Sequence, residues 1–170
     1  RLDDGKKVAF ANTSLLWSLS QILHGEQGAL GLSTSLCDMF VDPGAQEYAA
    51  NQVREEARHV TGYARYMQAR WGSPLPVGKT LSALLNELVG AQEVYKKLVG
   101  MQIVVEGLAL YSFREMRNLT EEPLLKDILT YVARDESRHH AYGVQYIERC
   151  VPCLSDPERE ELEDFALEAA

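Results

Sequence analysis

Two short stretches of this chain carry the same chemistry. Glu55-Glu56-Ala57-Arg58-His59 and Asp135-Glu136-Ser137-Arg138-His139 stand eighty residues apart, each with an acid three positions before a histidine. On a helix, residues three apart share a face. The same eighty-residue shift lays Glu26 on Glu106, each followed by Ala and Leu at the third and fourth positions, and Tyr66 on Tyr146. Each acid interrupts an apolar stripe. Leu19, Ile22, Leu23, Ala29 and Leu30 frame Glu26, and Val99, Ile103, Ala109, Leu110 and Phe113 frame Glu106. Ala49, Val53 and Tyr63 flank Glu56 and His59, while Leu125, Ile128, Leu129, Val132 and Gly143 flank Glu136 and His139. An ionised carboxylate in a core costs several kcal/mol or more unless paired or metal-bound. Four such acids together call for cations. The spacing therefore predicts one metal site made by Glu26, Glu56, His59, Glu106, Glu136 and His139. Glu55 and Asp135, just before the ligand acids, are placed to reach across and orient the opposite histidine.

These residues need helices to position them. No segment alternates as a strand does, and nearly all of the chain has helical spacing. A first helix is predicted from about Thr13 to Phe40, capped by Asn12 or Thr13. Asp42-Pro43 opens a second, ending near Trp71. Gly72-Ser73-Pro74-Leu75-Pro76 is the strongest break. A shorter helix follows from Thr80, then a third long one over roughly Gln92 to Arg117, with the role of Gly90 between them left open. Thr120 is expected to cap a fourth, with Glu121 and Glu122 in its first turn, ending before Pro152.

In an antiparallel hairpin, partners lie equidistant from the turn. Glu26 and Glu56 centre on Val41, beside Asp42-Pro43, and Glu106 and Glu136 centre on Glu121, beside Thr120 and Pro123. The predicted fold is all-α: a ferritin-like four-helix bundle with a long crossover between its second and third helices. Two Glu from two helices with Glu-x-x-His from two others is the ligand set of ferritin-like di-iron and di-manganese proteins. Oxygen-rich donors with one imidazole per metal suit iron or manganese.

The remainder of the sequence sets bounds. The chain has 170 residues, 46% hydrophobic and 25% charged, as suits one domain with its metal-binding core over 13–150. A net charge of −8 argues against nucleic acid and anionic membranes, and no apolar run suits a bilayer. Cys37, Cys150 and Cys153 form no disulfide framework, so a reducing cytoplasm is expected. The chain starts without Met, and a capping box at Ser155-Asp156-Pro157-Glu158 opens a helix still running at Ala170, as a piece of a longer protein would. Asp38 is too near the turn to meet Glu56. His24 faces away from Glu26 and is expected near the surface, and His140 is one step off the ligand face.

The stretches Leu23-His24-Gly25-Glu26-Gln27-Gly28-Ala29-Leu30, Glu56-Ala57-Arg58-His59-Val60, Val105-Glu106-Gly107-Leu108-Ala109-Leu110 and Asp135-Glu136-Ser137-Arg138-His139 resemble bacterial ferritin-like di-iron carboxylate proteins. The likeness is to the ribonucleotide reductase small-subunit and di-iron oxygenase type, and it spans roughly residues 15 to 150. It implies two iron ions, or one manganese and one iron, bridged by carboxylates, with dioxygen as co-substrate. It further implies a small, apolar organic substrate and an external electron donor, a reductase or a ferredoxin, with a homodimer among the assemblies allowed. Glu26 stands where reductase small subunits usually carry Asp, as in the oxygenases and oxidases. Tyr63 matches the reductase's radical tyrosine. Val132 replaces the extra histidine of p-aminobenzoate-type N-oxygenases. Gly28 and Met101 exclude the tyrosine–valine crosslink of some oxidases. The expectation is an oxygen-activating oxidoreductase. The alternatives are an iron-handling ferroxidase and a radical-generating subunit.

Overall fold

The computed structural model describes residues 3–169, and every regular element among them is helical. The long helices are α1 (Asp4–Met39), α2 (Pro43–Trp71) and α6 (Pro123–Cys150). A fourth rod begins as α4 (Val94–Lys97), passes through a π-helical stretch (Leu98–Val105) and continues as α5 (Glu106–Leu119). Between α2 and this rod runs the short α3 (Lys79–Gly90). A 3-10 turn (Val151–Cys153) leads from α6 into α7 (Asp156–Ala169).

Local chemistry sets the boundaries. The Asp42 carboxylate accepts from the amide of Ala45 at the start of α2, with Pro43 in the first turn. Gly72 ends α2 with a φ of 87°, a left-handed conformation that favours glycine. α1 starts nine residues before Thr13, because the Asp3 side chain, rather than Asn12 or Thr13, accepts from the Lys6 amide. Its first turns are exposed and lack the apolar stripe that marks the buried part. Thr120 terminates α5 instead of opening α6. Glu122 is the cap there, its carboxylate accepting from the amides of Leu124 and Leu125. α3 ends at Gly90, and Ala91–Glu93 separate it from the rod expected from about Gln92, which starts at Val94. Buried Lys97 donates to the carbonyls of Leu88 and Val89, countering the negative end of α3. The capping box before α7 is present, with Glu158 accepting from both the amide and the hydroxyl of Ser155.

Adjacent elements pack as hairpins. α1 lies along α2, α5 and the π-helical stretch lie along α6, and α2 meets α6 between the hairpins. The crossover is held on one turn of α1. Leu75 donates to Ser20 Oγ at 2.9 Å, Gly78 to Gln21 Oε1 at 2.7 Å, and His24 Nε2 lies 2.9 Å from the Leu75 carbonyl. His24 is thus half-buried and bonded, not a loose surface group. Two apolar clusters result. One joins Leu32, Leu36, Ala49, Leu88, Leu98 and Met101; the other joins Leu19, Tyr63, Met67, Phe113, Leu125 and Leu129. Each fully buried aliphatic side chain stabilises the fold by roughly 1.5–3 kcal/mol. Along every long helix the acids fall between these clusters.

Candidate metal centre

The six side chains converge. Glu26 (α1), Glu56 and His59 (α2), Glu106 (α5), and Glu136 and His139 (α6) are all at most 5% exposed. They form two overlapping groups, Glu26, Glu56, His59 and Glu136, and Glu56, Glu106, Glu136 and His139, with donor atoms within 4.8 Å of one another. Glu56 and Glu136 belong to both. Glu56 Oε2 lies 3.4 Å from His59 Nδ1 and its Oε1 lies 3.2 Å from His139 Nδ1. Glu136 Oε1 lies 2.9 Å from His59 Nδ1 and its Oε2 lies 3.2 Å from His139 Nδ1. The ring centroids of the histidines are 6.3 Å apart. Glu26, 3.2 Å from His59 Nδ1, serves one group only, as Glu106 serves the other. The arrangement is two positions, each with one histidine and one acid of its own, spanned by two shared carboxylates.

The histidines are clamped from behind. His59 Nε2 lies 3.1 Å from Asp135, and His139 Nε2 lies 2.9 Å from Glu55. Each acid sits on the helix opposite the histidine that it holds. Arg138 donates to Glu55 at 3.0 Å and to Asp135 at 2.6 Å, and Arg58 also pairs with Asp135. Asp38 is exposed and takes no part. His140 is half-buried beside Gly107, outside both groups. Tyr63 is wholly buried, its hydroxyl has no hydrogen-bond partner, and it packs by Phe113 with ring centroids 6.4 Å apart.

The electrostatics call for positive charge. Burial, then the charges of neighbouring acids, push the Glu26 and Glu106 carboxyls well above the usual carboxylate range. Burial works against ionising His139, but contact with Glu136 and Glu56 overrides it and raises the ring to about 11. His59 moves the same way, through Glu136, Glu26 and Glu56. The two imidazolium partners in turn overcome burial and hold Glu56 at about 2. Without metal, the two histidine protons supply the missing positive charge, and they do so poorly. One N–H at His59 Nδ1 faces oxygens of three different acids and can serve one of them well. Buried oxygens of Glu56, Glu106 and Glu136 accept no hydrogen bond. Cations between the Nδ1 atoms and these oxygens would satisfy every one of them, so the residues fit a pair of metal ions.

Two further side chains belong to the site, and no motif in the sequence marks them. Gln52 and Gln102 are wholly buried, and Gln52 donates to both Glu56 and Glu106. The available signal was a glutamine four residues before Glu56 and another four before Glu106 on otherwise apolar faces.

Beside the centre, between α1, α3 and the rod of the π-helical stretch and α5, lies a cavity of about 230 Å³. Ile22, Gly25, Met101, Val105, Ala109 and Phe113 are among its walls, and Glu26, Glu106 and Glu136 reach into it. No side chain could form beside Gly28 without displacing Leu85, whose Cδ2 lies 2.5 Å from the Cβ position, whereas Gly25 has open space around it. Close packing thus accounts for Gly28, and the cavity for Gly25.

No protein-family profile matches this chain, and no curated protein sequence does. Among solved structures, CopM in its Cu(I)-bound form is similar at a TM-score of 0.66 and 18% identity, covering 79% of this chain and 96% of that one. CopM in the apo form superposes at a TM-score of 0.64 and 16% identity, with the same coverage. CopM in the Cu(II)-bound form gives 0.64 and 16%, over 77% of this chain and 93% of that one. The likeness establishes the all-helical fold. No described helix is long and apolar enough to cross a membrane.

Proposed function

We propose that this protein is a ferritin-like di-metal oxidoreductase that holds iron, or iron with manganese, and uses dioxygen to oxidise a small apolar molecule. The observation that carries the reading is the double span of Glu56 and Glu136, each with one oxygen toward either histidine. Shared carboxylates hold two ions close together, an arrangement with no use at a single-ion site. Reduced metals bound there would supply the electrons that activate dioxygen.

The protein's own part is binding, orientation and exclusion of water. Asp135 and Glu55 keep Nε2 of each histidine protonated and aim Nδ1 inward. Glu26, Glu106, Glu56 and Glu136 supply four negative charges, which two divalent ions balance. The apolar clusters on either side keep bulk water from the centre. The cavity beside the centre offers a neutral organic molecule room directly against Glu26, Glu106 and Glu136. A reductase or ferredoxin would deliver the electrons.

Copper, bound by CopM, is a second reading. Cu(I) prefers sulfur donors, and the buried donor set here holds only carboxylates and imidazoles. A third reading, a radical-generating subunit, draws on the buried, unbonded hydroxyl of Tyr63.

The test is anaerobic loading with Fe(II) followed by rapid mixing with oxygen. The proposal expects about two ions per chain and fast, stoichiometric oxygen uptake. Preference for Cu(I) over Fe(II) in competition would overturn it. A radical signal lost in Tyr63→Phe would favour the radical subunit, and growth of a mineral core would favour iron handling.

A further inference from the structure

The eighty-residue repeat makes the two halves of the centre alike in their ligands but not in what stands behind them. Gln52 Nε2 donates to Glu106 Oε1 at 3.0 Å and to Glu56 Oε1 at 3.1 Å. Its own oxygen accepts from Gln102 Nε2 at 2.6 Å. The repeat partners of these two glutamines are Val132 and Ile22, which can offer no such bond. Gly143, the repeat partner of Tyr63, leaves the room that Gln102 fills: a Cβ there would stand 2.6 Å from the Cβ of Gln102. Gln102 also lies in the π-helical stretch, whereas the matching part of α1 is plain α-helix. Such π-helical insertions are frequent at functional sites.

Buried amides are costly unless bonded. Val132 shows that an apolar side chain satisfies this position in the other half. The glutamine chain therefore needs a reason beyond packing, and its end point supplies one. Gln52 occupies one oxygen of Glu106 and leaves the other, Oε2, without a hydrogen-bond partner. Glu26, in the other half, has no amide behind it.

We infer that Gln52, braced by Gln102, is a positioning residue that fixes the Glu106 carboxylate with one oxygen free and holds the Glu56 oxygen that faces His139 rather than the one that faces His59, so that the Glu106–His139 metal position depends on it more than the Glu26–His59 position does. The inference rests on the two-metal reading above. Losing a hydrogen bond behind a metal ligand typically costs about 10–100-fold in affinity.

The experiment uses Mn(II) on the metal-free full chain, wild type and Gln52→Leu, by calorimetric titration and by anomalous diffraction from Mn(II)-soaked crystals. The wild type should fill both positions. Gln52→Leu should keep the Glu26–His59 position and lose about tenfold or more at Glu106–His139. Gln102→Leu, which leaves the Gln52 amide in place but unbraced, should move the same way by less, and stands in if Gln52→Leu does not fold. Equal loss at both positions, which a merely structural role would give, or no loss at either, overturns the inference. A wild type that takes fewer than two ions sinks the two-metal reading, and this inference with it.

Discussion

His59 and Asp135 meet across the interface between the two hairpins, Nε2 to Oδ2 at 3.1 Å, though 76 residues separate them in the chain. Glu55 and His139 repeat the contact in reverse at 2.9 Å. A carboxylate behind a ligating imidazole fixes its tautomer and raises its basicity. Asp135→Asn keeps the size of the side chain and removes the charge. It should weaken metal binding about 10–100-fold, chiefly at the position that His59 serves. Competition with a chelator of known affinity reads this directly, and unchanged affinity would refute the role.

The shared and unshared acids should behave differently. Glu56 and Glu136 touch both groups, while Glu26 and Glu106 touch one each. Glu136→Ala should reduce bound metal from about two ions per chain toward none. Glu26→Ala should leave about one, at the Glu106–His139 position. Elemental analysis of protein purified from iron-replete cells distinguishes the pair, and identical losses in the two variants would contradict the bridging geometry.

Acid and base should both destabilise the metal-free protein, through different groups. His139 is raised from 6.5 to about 11, so the proton it gains on folding stabilises fully below 6.5, and that contribution is lost as pH rises toward 11. Glu26 and Glu106, also raised, act in the same direction. Glu56 is lowered from 4.5 to about 2, so its contribution is present above 4.5 and lost as pH falls toward 2. The metal-free melting temperature should therefore peak between these ranges and decline on the alkaline side. Metal needs the histidines deprotonated, so loading should release protons, and apparent affinity should rise with pH. Thermal melts across pH, with and without Mn(II), test both statements. A metal-free protein that gains stability from pH 7 to 10 would contradict them.

Tyr63 carries a buried hydroxyl with no hydrogen-bond partner. An unsatisfied buried polar group costs about 1–3 kcal/mol. Tyr63→Phe should therefore raise the stability of the metal-free protein by about 1 kcal/mol, measured by denaturant unfolding. A loss of stability would mean that the hydroxyl is bonded in solution. A gain would mean that the native protein retains the group at a cost, as redox use near Glu26 would explain.

The residues that form the centre were legible because they break a pattern. Glu26, Glu56, Glu106 and Glu136 each interrupt an apolar face, and a repeat of eighty residues is visible without any structure. The turn at Asp42-Pro43 and the break after Trp71 were equally plain, since proline and glycine state their backbone preferences locally. Gln52 and Gln102 were not legible as a pair, because their meaning arises from a contact between α2 and the π-helical stretch, fifty residues apart. Nothing local announces a π-helical segment in Leu98–Val105, whose composition is that of any buried helix. The start of α1 is not legible for the opposite reason: its first turns bury no apolar stripe, and an exposed helix leaves no periodic trace. Thr120 looked like a cap by type, but Glu122 sits one place before Pro123 and reaches two amides at once.

The crosswise clamping of the histidines changes what any bound cation does for the whole chain. Glu26, Glu56 and His59 belong to one hairpin, and Glu106, Glu136 and His139 to the other. Neither hairpin offers a complete position, and each lends the acid that steadies the other's imidazole. An ion held there is grasped by both at once, so its binding free energy is also a free energy of docking one hairpin on the other. The crossover at 72–93 supplies continuity of the chain; the centre adds cohesion across the middle of the bundle, beside the pairs Arg58–Asp135 and Arg138–Glu55. Removing the ions would then act first as a loosening of the seam between α2 and α6 at the shared acids Glu56 and Glu136, before either hairpin lost its own helices.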